Sequence, residues 1–237
     1  MGEYTDQGAL SNLRHQVGRG TIANILKESG IEPAPERNKH TSWSTFLEAH
    51  WDCLAATDFS TVEVWTLRGL VTYYVLFFMD MATRSVQIAG ITPNPDTRWM
   101  MQIARNLTDV EGRFLCGKRY LILDRDTKYS DAFRSFLVRE GIKIIRLPPR
   151  SPNLNAFAER FVRSIKEECL RRMIFVGQAS LRHAINQFMV HYHAERNRQG
   201  LGNRLLQPIS TTARLGEPVQ RRRRPGGMLS YYYREAA

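Results

Sequence analysis

Three carboxylates stand where a chain would put them for chemistry. Asp58 closes the stretch Cys-Leu-Ala-Ala-Thr, Asp124 follows Tyr-Leu-Ile-Leu, and Glu159 sits in Asn-Ala-Phe-Ala-Glu-Arg-Phe. Each aspartate lies at the exit of an apolar segment, where a carboxylate is costly to bury without a partner. Brought from two strand ends and one helix, the three would converge at the edge of a sheet. A hard divalent cation needs such a set: several oxygen ligands, with positions left for water and phosphate. Two such ions a few ångströms apart activate the attacking oxygen and stabilise the leaving one in phosphoryl transfer. Each residue also has an ordinary use, since an aspartate at a strand end forms turns or caps helices and a glutamate suits any surface.

The neighbours of Glu159 sharpen the choice. Lys166 follows it by seven residues, roughly 20° off the same helix face at ~100° per residue. Asn155 precedes it by four residues, also on that face, and Arg163 lies between Glu159 and Lys166. A stripe of this kind offers a metal ligand flanked by groups that hold DNA; a merely solvated stripe looks the same. Asp126 rivals Asp124, but Asp124 is nearer the strand. His191 and His193 are two apart, so on a helix they face apart and suit packing or proximity to DNA, not a metal. Cys53, Cys116 and Cys169 are odd in number and far apart. They suggest neither a zinc knuckle nor a disulfide framework, and fit a reducing, cytosolic compartment. Trp43, Trp51, Trp65 and Trp99 read as core or domain-edge residues, as large aromatics usually are.

Composition narrows the partner. In 237 residues, 43% are hydrophobic and 24% charged, which excludes wholesale disorder and fibrous repeats. The excess of 34 basic over 23 acidic side chains gives +11 and makes a polyanion the first partner to consider. Residues 196–237 carry nine basic and two acidic side chains, including Arg221, Arg222, Arg223 and Arg224. Guanidinium forks match phosphate oxygens; Tyr231, Tyr232 and Tyr233, which follow, could stack on bases or pack back on the domain. The longest apolar run, residues 71–79, is less than half of a membrane span. The opening Met-Gly-Glu-Tyr-Thr-Asp has neither the basic patch nor the apolar core of a secretory leader. Neither a membrane nor a small-molecule cofactor is expected as a partner.

These groups need elements to position them. Residues 5–14 are helix-compatible, and 21–29 form a short amphipathic helix with Ile22, Ile25 and Leu26 on one face, ended by Gly30. A helical pair joined through Gly18 and Gly20 has the outline of a helix-turn-helix. Residues 31–40 are polar and proline-containing, a linker. Short strands are predicted over 51–59 and 63–66, a buried strand over 70–79, and a third strand over 84–91 completing an antiparallel meander. Pro93 and Pro95 start a helix running through Leu107. A strand over 119–123 ends on Asp124, a helix over 130–140 stops at Gly141, and a strand covers 142–147. Two helices follow, 155–173 and 180–193. The sum is a mixed α/β domain.

Taken together, Ala-Thr-Asp58-Phe, Leu-Asp124-Arg-Asp-Thr-Lys-Tyr and Pro-Arg-Ser-Pro-Asn-Leu-Asn-Ala-Phe-Ala-Glu159-Arg-Phe-Val-Arg-Ser-Ile-Lys166 resemble the integrase catalytic core of insertion-sequence transposases and, more distantly, of retroviral integrases. The stretch from His191, His-Tyr-His-Ala-Glu-Arg-Asn-Arg-Gln-Gly-Leu-Gly, resembles the usual end of that core. The resemblance covers about residues 46–208. It implies a ribonuclease H-like mixed sheet flanked by helices, with a short helical N-terminal segment and a basic C-terminal tail. The implied organisation is a partial helix-turn-helix-like segment over 1–30, a linker over 31–45, the core over 46–208 and the tail over 209–237. Asp58, Asp124 and Glu159 take the place of the family's Asp-Asp-Glu triad, holding two magnesium or manganese ions. Asn155, Arg163, Lys166 and Arg221, Arg222, Arg223 and Arg224 are the expected DNA contacts. The implied activity is cleavage at element ends and transfer of the freed 3′-hydroxyl to target DNA by a homo-oligomer, in a bacterial cytoplasm and nucleoid-associated when bound to DNA. A ribonuclease H-like nuclease that cuts without joining, and a DNA-binding remnant without turnover, are the alternatives. Two features depart from the family: 34 residues separate Asp124 and Glu159, one fewer than the commonest spacing, and Asp126 stands where glycine is common. The amino-terminal region also looks shorter than the family's.

Overall fold

The structure is a computed structural model and describes residues 16–28, 43–109, 114–147, 155–197, 202–207, 218–224 and 228–234. It divides into two compact units, Met1–His50 and Trp51–Ala237. The first unit contributes two described helices, α1 (Arg19–Glu28) and α2 (Trp43–His50). On α1, Ile22 is buried while Ile25 stays exposed. On α2, the rings of Trp43, Phe46 and His50 stack in series, with centroids 5.6 and 4.5 Å apart. The helix begins at Trp43, so the last residues of the expected 31–45 linker are helical. The expected helix over 5–14, Gly30, and the linker up to residue 42 lie outside the described residues.

The second unit is built on a mixed sheet. Its strands are β1 (Leu54–Thr66), β2 (Gly69–Asp80), β3 (Val86–Thr92), β4 (Tyr120–Leu123) and β5 (Lys143–Arg146). Their order is β3-β2-β1-β4-β5, with a two-residue strand β6 (Phe175–Val176) paired to the far end of β1. The first three strands run antiparallel as a meander, and β4, β5 and β6 join parallel. This is the ribonuclease H-like arrangement that the sequence led us to expect. Residues 51–53 form a 3-10 turn, and β1 is one strand of 13 residues, not the two short ones expected. Ser60, Val62 and Val64 are buried while Thr61, Glu63 and Trp65 are exposed. That alternation carries the strand through a stretch whose polar residues resemble a break.

Both faces of the sheet are covered, which explains why residues 75–79 of β2 are all buried. On one face, Leu76 and Phe78 join Met100, Ile103 and Leu107 of helix α3 (Thr97–Thr108) and Phe133 and Leu137 of helix α4 (Asp131–Arg139). Helix α3 starts where Asp96 accepts a hydrogen bond from the Trp99 N–H at 2.7 Å. Helix α4 starts on Ser130 and is followed by Gly141, whose φ of +84° suits glycine. On the other face, Phe77 meets Phe161 of helix α5 (Ala156–Ile165), centroids 4.5 Å apart. Phe161 in turn meets Phe188 and Tyr192 of helix α6 (Gly177–Ala194). The long helix expected over 155–173 is therefore α5 followed by a π-helical turn, Lys166–Leu170.

The basic tail folds as a β-hairpin, β7 (Gln220–Arg224) with β8 (Leu229–Tyr233), registered Arg222 to Tyr231 and Arg224 to Leu229. Among the described residues, no helix is long and apolar enough to cross a membrane.

Candidate active site

The parallel pairing of β1 with β4 sets the two aspartates side by side. Ala56 pairs with Ile122, and Asp58 and Asp124 each lie two residues further on, Asp58 inside the 13-residue β1 rather than at the expected strand end and Asp124 just past the end of β4. Across β2, Asp58 pairs with Phe77, so its side chain shares the sheet face that α5 covers. Phe161 seats α5 on Phe77, and buried Ala158, Phe161 and Ile165 fix the helix rotation. Glu159, in the first turn of α5, is left half-buried. The carboxylates are thus positioned by strand pairing and one aromatic contact, each with an apolar cause.

Electrostatics ties them together. The Asp58 carboxyl is pushed up from 3.8 to about 7, chiefly by burial and further by the negative charges of Asp124 and Glu159. The Phe59 N–H, which donates to Asp58 Oδ1 at 2.7 Å, and the Lys166 charge oppose the rise. Asp124, Glu159 and Lys166 therefore all lie within electrostatic range of Asp58. Among the described residues, no three Asp, Glu, His or Cys side chains come together closely enough to hold a metal ion as they stand. The donor chemistry nonetheless suits a hard cation. Three carboxylates, one of them the half-buried Asp58 whose charge is disfavoured by burial and by its neighbours, would gain from one, and oxygen is the ligand that such ions take. Asp58, Asp124 and Glu159 are the residues that would hold it.

The loop after β4 separates Asp124 from its rival. Asp124 Oδ1 accepts the Asp126 N–H at 3.0 Å, a local turn. Asp126 accepts the Lys128 N–H at 2.9 Å and pairs with Lys128 Nζ at 2.6 Å. Asp126 is therefore engaged within the loop, whereas Asp124 adjoins Asp58. Behind the site lies buried Tyr129, its hydroxyl 3.4 Å from Thr57 Oγ1. Burial and the charges of Asp58, Asp124 and Asp126 push its phenol well above the usual range. Sequence reasoning did not single out Tyr129 or Lys128, although both follow Asp124 in the quoted motif.

The other expected contacts are placed unevenly. Lys166 is half-buried at the start of the π turn, and Arg163 is exposed. Asn155 is not on an open stripe: it is 4% exposed, and its Oδ1 has no hydrogen-bond partner. Alternation along β7 splits the arginine run. Arg221 and Arg223 face solvent, whereas Arg222 and Arg224 turn toward the body of the unit. Arg224 Nε lies 2.8 Å from Glu195 Oε2, and Arg222 Nη1 3.6 Å from Glu195 Oε1. Glu195 is buried and also accepts from His191 Nδ1 at 3.2 Å. Burial raises the Glu195 carboxyl, but the Arg224 guanidinium and His191 more than offset it, so the group titrates below its ordinary value. Burial holds the His191 imidazole below its own. His193 Nε2 accepts the Val86 N–H at 3.1 Å. Glu195 had no assigned role in the sequence; a lone acid ahead of an arginine-rich stretch is its one signal.

The family profile described as integrase core domain matches residues 140–205. That segment includes Glu159 and Lys166 and stops short of Asp58 and Asp124. No curated protein sequence matches the chain. Among solved structures, the HTLV-2 integrase catalytic core domain, solved with magnesium in a trimeric form, is similar at 13% identity and a TM-score of 0.47, covering 65% of this chain and 93% of that one. The catalytic domain of Mos1 mariner transposase is similar at 12% identity and a TM-score of 0.49, covering 62% and 77%. The catalytic core domain of BIV integrase is similar at 16% identity and a TM-score of 0.41, covering 65% and 91%. The profile match shows that residues 140–205 are similar to an integrase core domain.

Proposed function

We propose that this chain is a metal-dependent DNA strand transferase of a mobile element. It cuts at element ends with water and joins the freed 3′-hydroxyl to target DNA. The observation that carries this is that Asp58 adjoins Asp124 through the β1–β4 pairing, with Glu159 and Lys166 close enough to act on its charge. When bound, magnesium or manganese supplies Lewis-acid polarisation of the reacting phosphate. The chain's own residues do the rest. Asp58, Asp124 and Glu159 hold the cations. Lys166 offsets the charge of the incoming phosphate. Near neutral pH the cation-free Asp58 carries a proton for part of the time, and it gives up that proton when the site fills. Arg163, Arg221 and Arg223 reach phosphates at the surface, while Arg222 and Arg224 hold the hairpin in place. Synapsis of two DNA ends calls for a homo-oligomer.

The test is a magnesium-dependent strand-transfer assay on a processed end, with the wild type and Glu159→Gln. Joined product from the wild type alone supports the proposal; cleavage without joining makes the protein a nuclease. A second reading, DNA binding without turnover, is favoured by one observation: the carboxylates do not stand in a single ligand shell. It predicts that Glu159→Gln leaves every measurable property of the chain on DNA unchanged.

A further inference from the structure

Next to the carboxylates lies a second feature that the proposed function does not use. An open groove of about 630 Å³ runs along β1 beyond Asp58, with Lys166 at one end and Trp65, Leu70, Arg171 and Ile174 among its walls. The volume is that of an ordinary ligand cleft. Among the described residues, β1 pairs with β4 as far as Ala56 and with β6 from Val64. The strand between these points is an open edge. Of the two places expected for Trp65, core or domain edge, the edge is the one it occupies, near the end of β1. Its indole is 54% exposed and faces the groove, and the nearby Ile174 is more exposed still.

The lining mixes two chemistries. The indole and aliphatic side chains offer a flat apolar wall, while Lys166 and Arg171 place two cations against a single carboxylate, Glu63. Lysine is depleted at the core of protein interfaces, and an apolar protein partner gains nothing from a cation already facing the carboxylate site. An unpaired nucleic-acid strand needs both: a stacking platform for bases and cations for its backbone. We propose that this groove binds the unpaired bases of the DNA strand whose phosphate lies at Asp58, Asp124 and Glu159, with Trp65 as the stacking platform and Lys166 and Arg171 on the backbone. Asp58 and Trp65 project from opposite faces of β1, so the DNA strand would pass over the open edge between them; along β1, Thr61 to Trp65 lie about 10 to 23 Å from Asp58 at roughly 3.3 Å per residue. At the ~3.4 Å rise of a duplex strand the far end of that span is at most roughly seven nucleotides away, and an extended unpaired strand needs fewer. Occupancy by DNA here presupposes the strand-transfer function proposed above and adds to it a preference for ends that are frayed or splayed.

The test compares the full chain on two probes: a blunt duplex and the same duplex with a seven-nucleotide unpaired tail carrying 2-aminopurine. Affinity is read by anisotropy, stacking by quenching of the 2-aminopurine, and oligomeric state by light scattering. The wild type is expected to prefer the tailed probe and to quench it. Trp65→Ala is expected to lose about 5- to 150-fold in affinity for the tailed probe, the range of one base–aromatic stack, with the blunt duplex unaffected. Trp65→Phe is expected to recover most of that loss. Equal affinity of the wild type for both probes overturns the inference, as does an equal loss on both in Trp65→Ala. A change of oligomeric state in Trp65→Ala, with no effect specific to the tail, also overturns it and assigns the groove to contact between copies. Strand transfer from a blunt processed end is scored separately. Joining without tail preference rejects the groove alone, whereas absence of joining in the wild type rejects the underlying function.

Discussion

Asp58→Asn isolates the electrostatic cost of the site. In the cation-free protein the Asp58 carboxyl is raised from 3.8 to about 7, first by burial and then by Asp124 and Glu159. The folded state therefore holds this proton more tightly than the unfolded chain does. The resulting stabilisation is fully present below about pH 4, declines as pH rises, and is gone above about pH 7. A shift of about three units is worth at most ~4 kcal/mol at 1.36 kcal/mol per unit. Asp58 is half-buried, so solvent screening reduces this to roughly 2 kcal/mol. Asparagine approximates the protonated carboxyl and does not titrate. The variant should thus exceed the wild type by only about 0.5 kcal/mol at pH 4.5 and by about 2 kcal/mol at pH 8, or roughly 4–8 °C in Tm at pH 8 for a chain of this size. The assay is thermal unfolding in chelator at pH 4.5, 6 and 8. Adding magnesium at pH 8 should stabilise the wild type and leave the variant nearly unmoved. Parallel pH profiles for the two proteins would refute the reasoning, because neither burial nor the acidic neighbours would then raise the Asp58 carboxyl.

The split of the arginine run gives two further predictions. Arg221→Ser with Arg223→Ser should weaken binding to all DNA sequences alike and lower the slope of log K against log salt by roughly 1.8, about 0.9 per phosphate contact; an unchanged slope would mean that the outer face of the hairpin does not touch DNA. Glu195→Ala should leave half-buried Arg224 with Gln187 but no countercharge, costing at most about 3 kcal/mol, and should expose the β7–β8 hairpin to proteolysis before the core unfolds. Uniform cleavage resistance in that variant would mean that the hairpin is held by something else.

Much of this architecture could be read from residue patterns because its causes are local. The apolar run of β2, the Asp96 and Ser130 caps, and Gly141 act within a few positions of themselves. Asp58 and Asp124 stand out because each follows an apolar run, although only Asp124 lies at a strand end and β1 continues past Asp58 to Thr66. What escaped depends on distant partners. The continuity of β1 through Ser60 and Thr61 comes from pairing with β2, which no window along β1 contains. The hairpin of the tail forms from an arginine run that looks self-repelling, and Glu195, 29 residues from Arg224, supplies the missing countercharge. Asn155 was placed on the Glu159 stripe by helical spacing, but it stands at the cap position before α5, where the backbone is not helical. The exposure of Trp65 follows from where the sheet ends, which composition does not reveal.

The central claim is that Asp58, Asp124 and Glu159 serve one cation site. Manganese titration followed by electron paramagnetic resonance tests it in the wild type, Asp58→Asn, Asp124→Asn and Glu159→Gln. Binding by the wild type, weakened in each of the three variants, is the predicted result. Any one of the three variants binding manganese as the wild type does would contradict it.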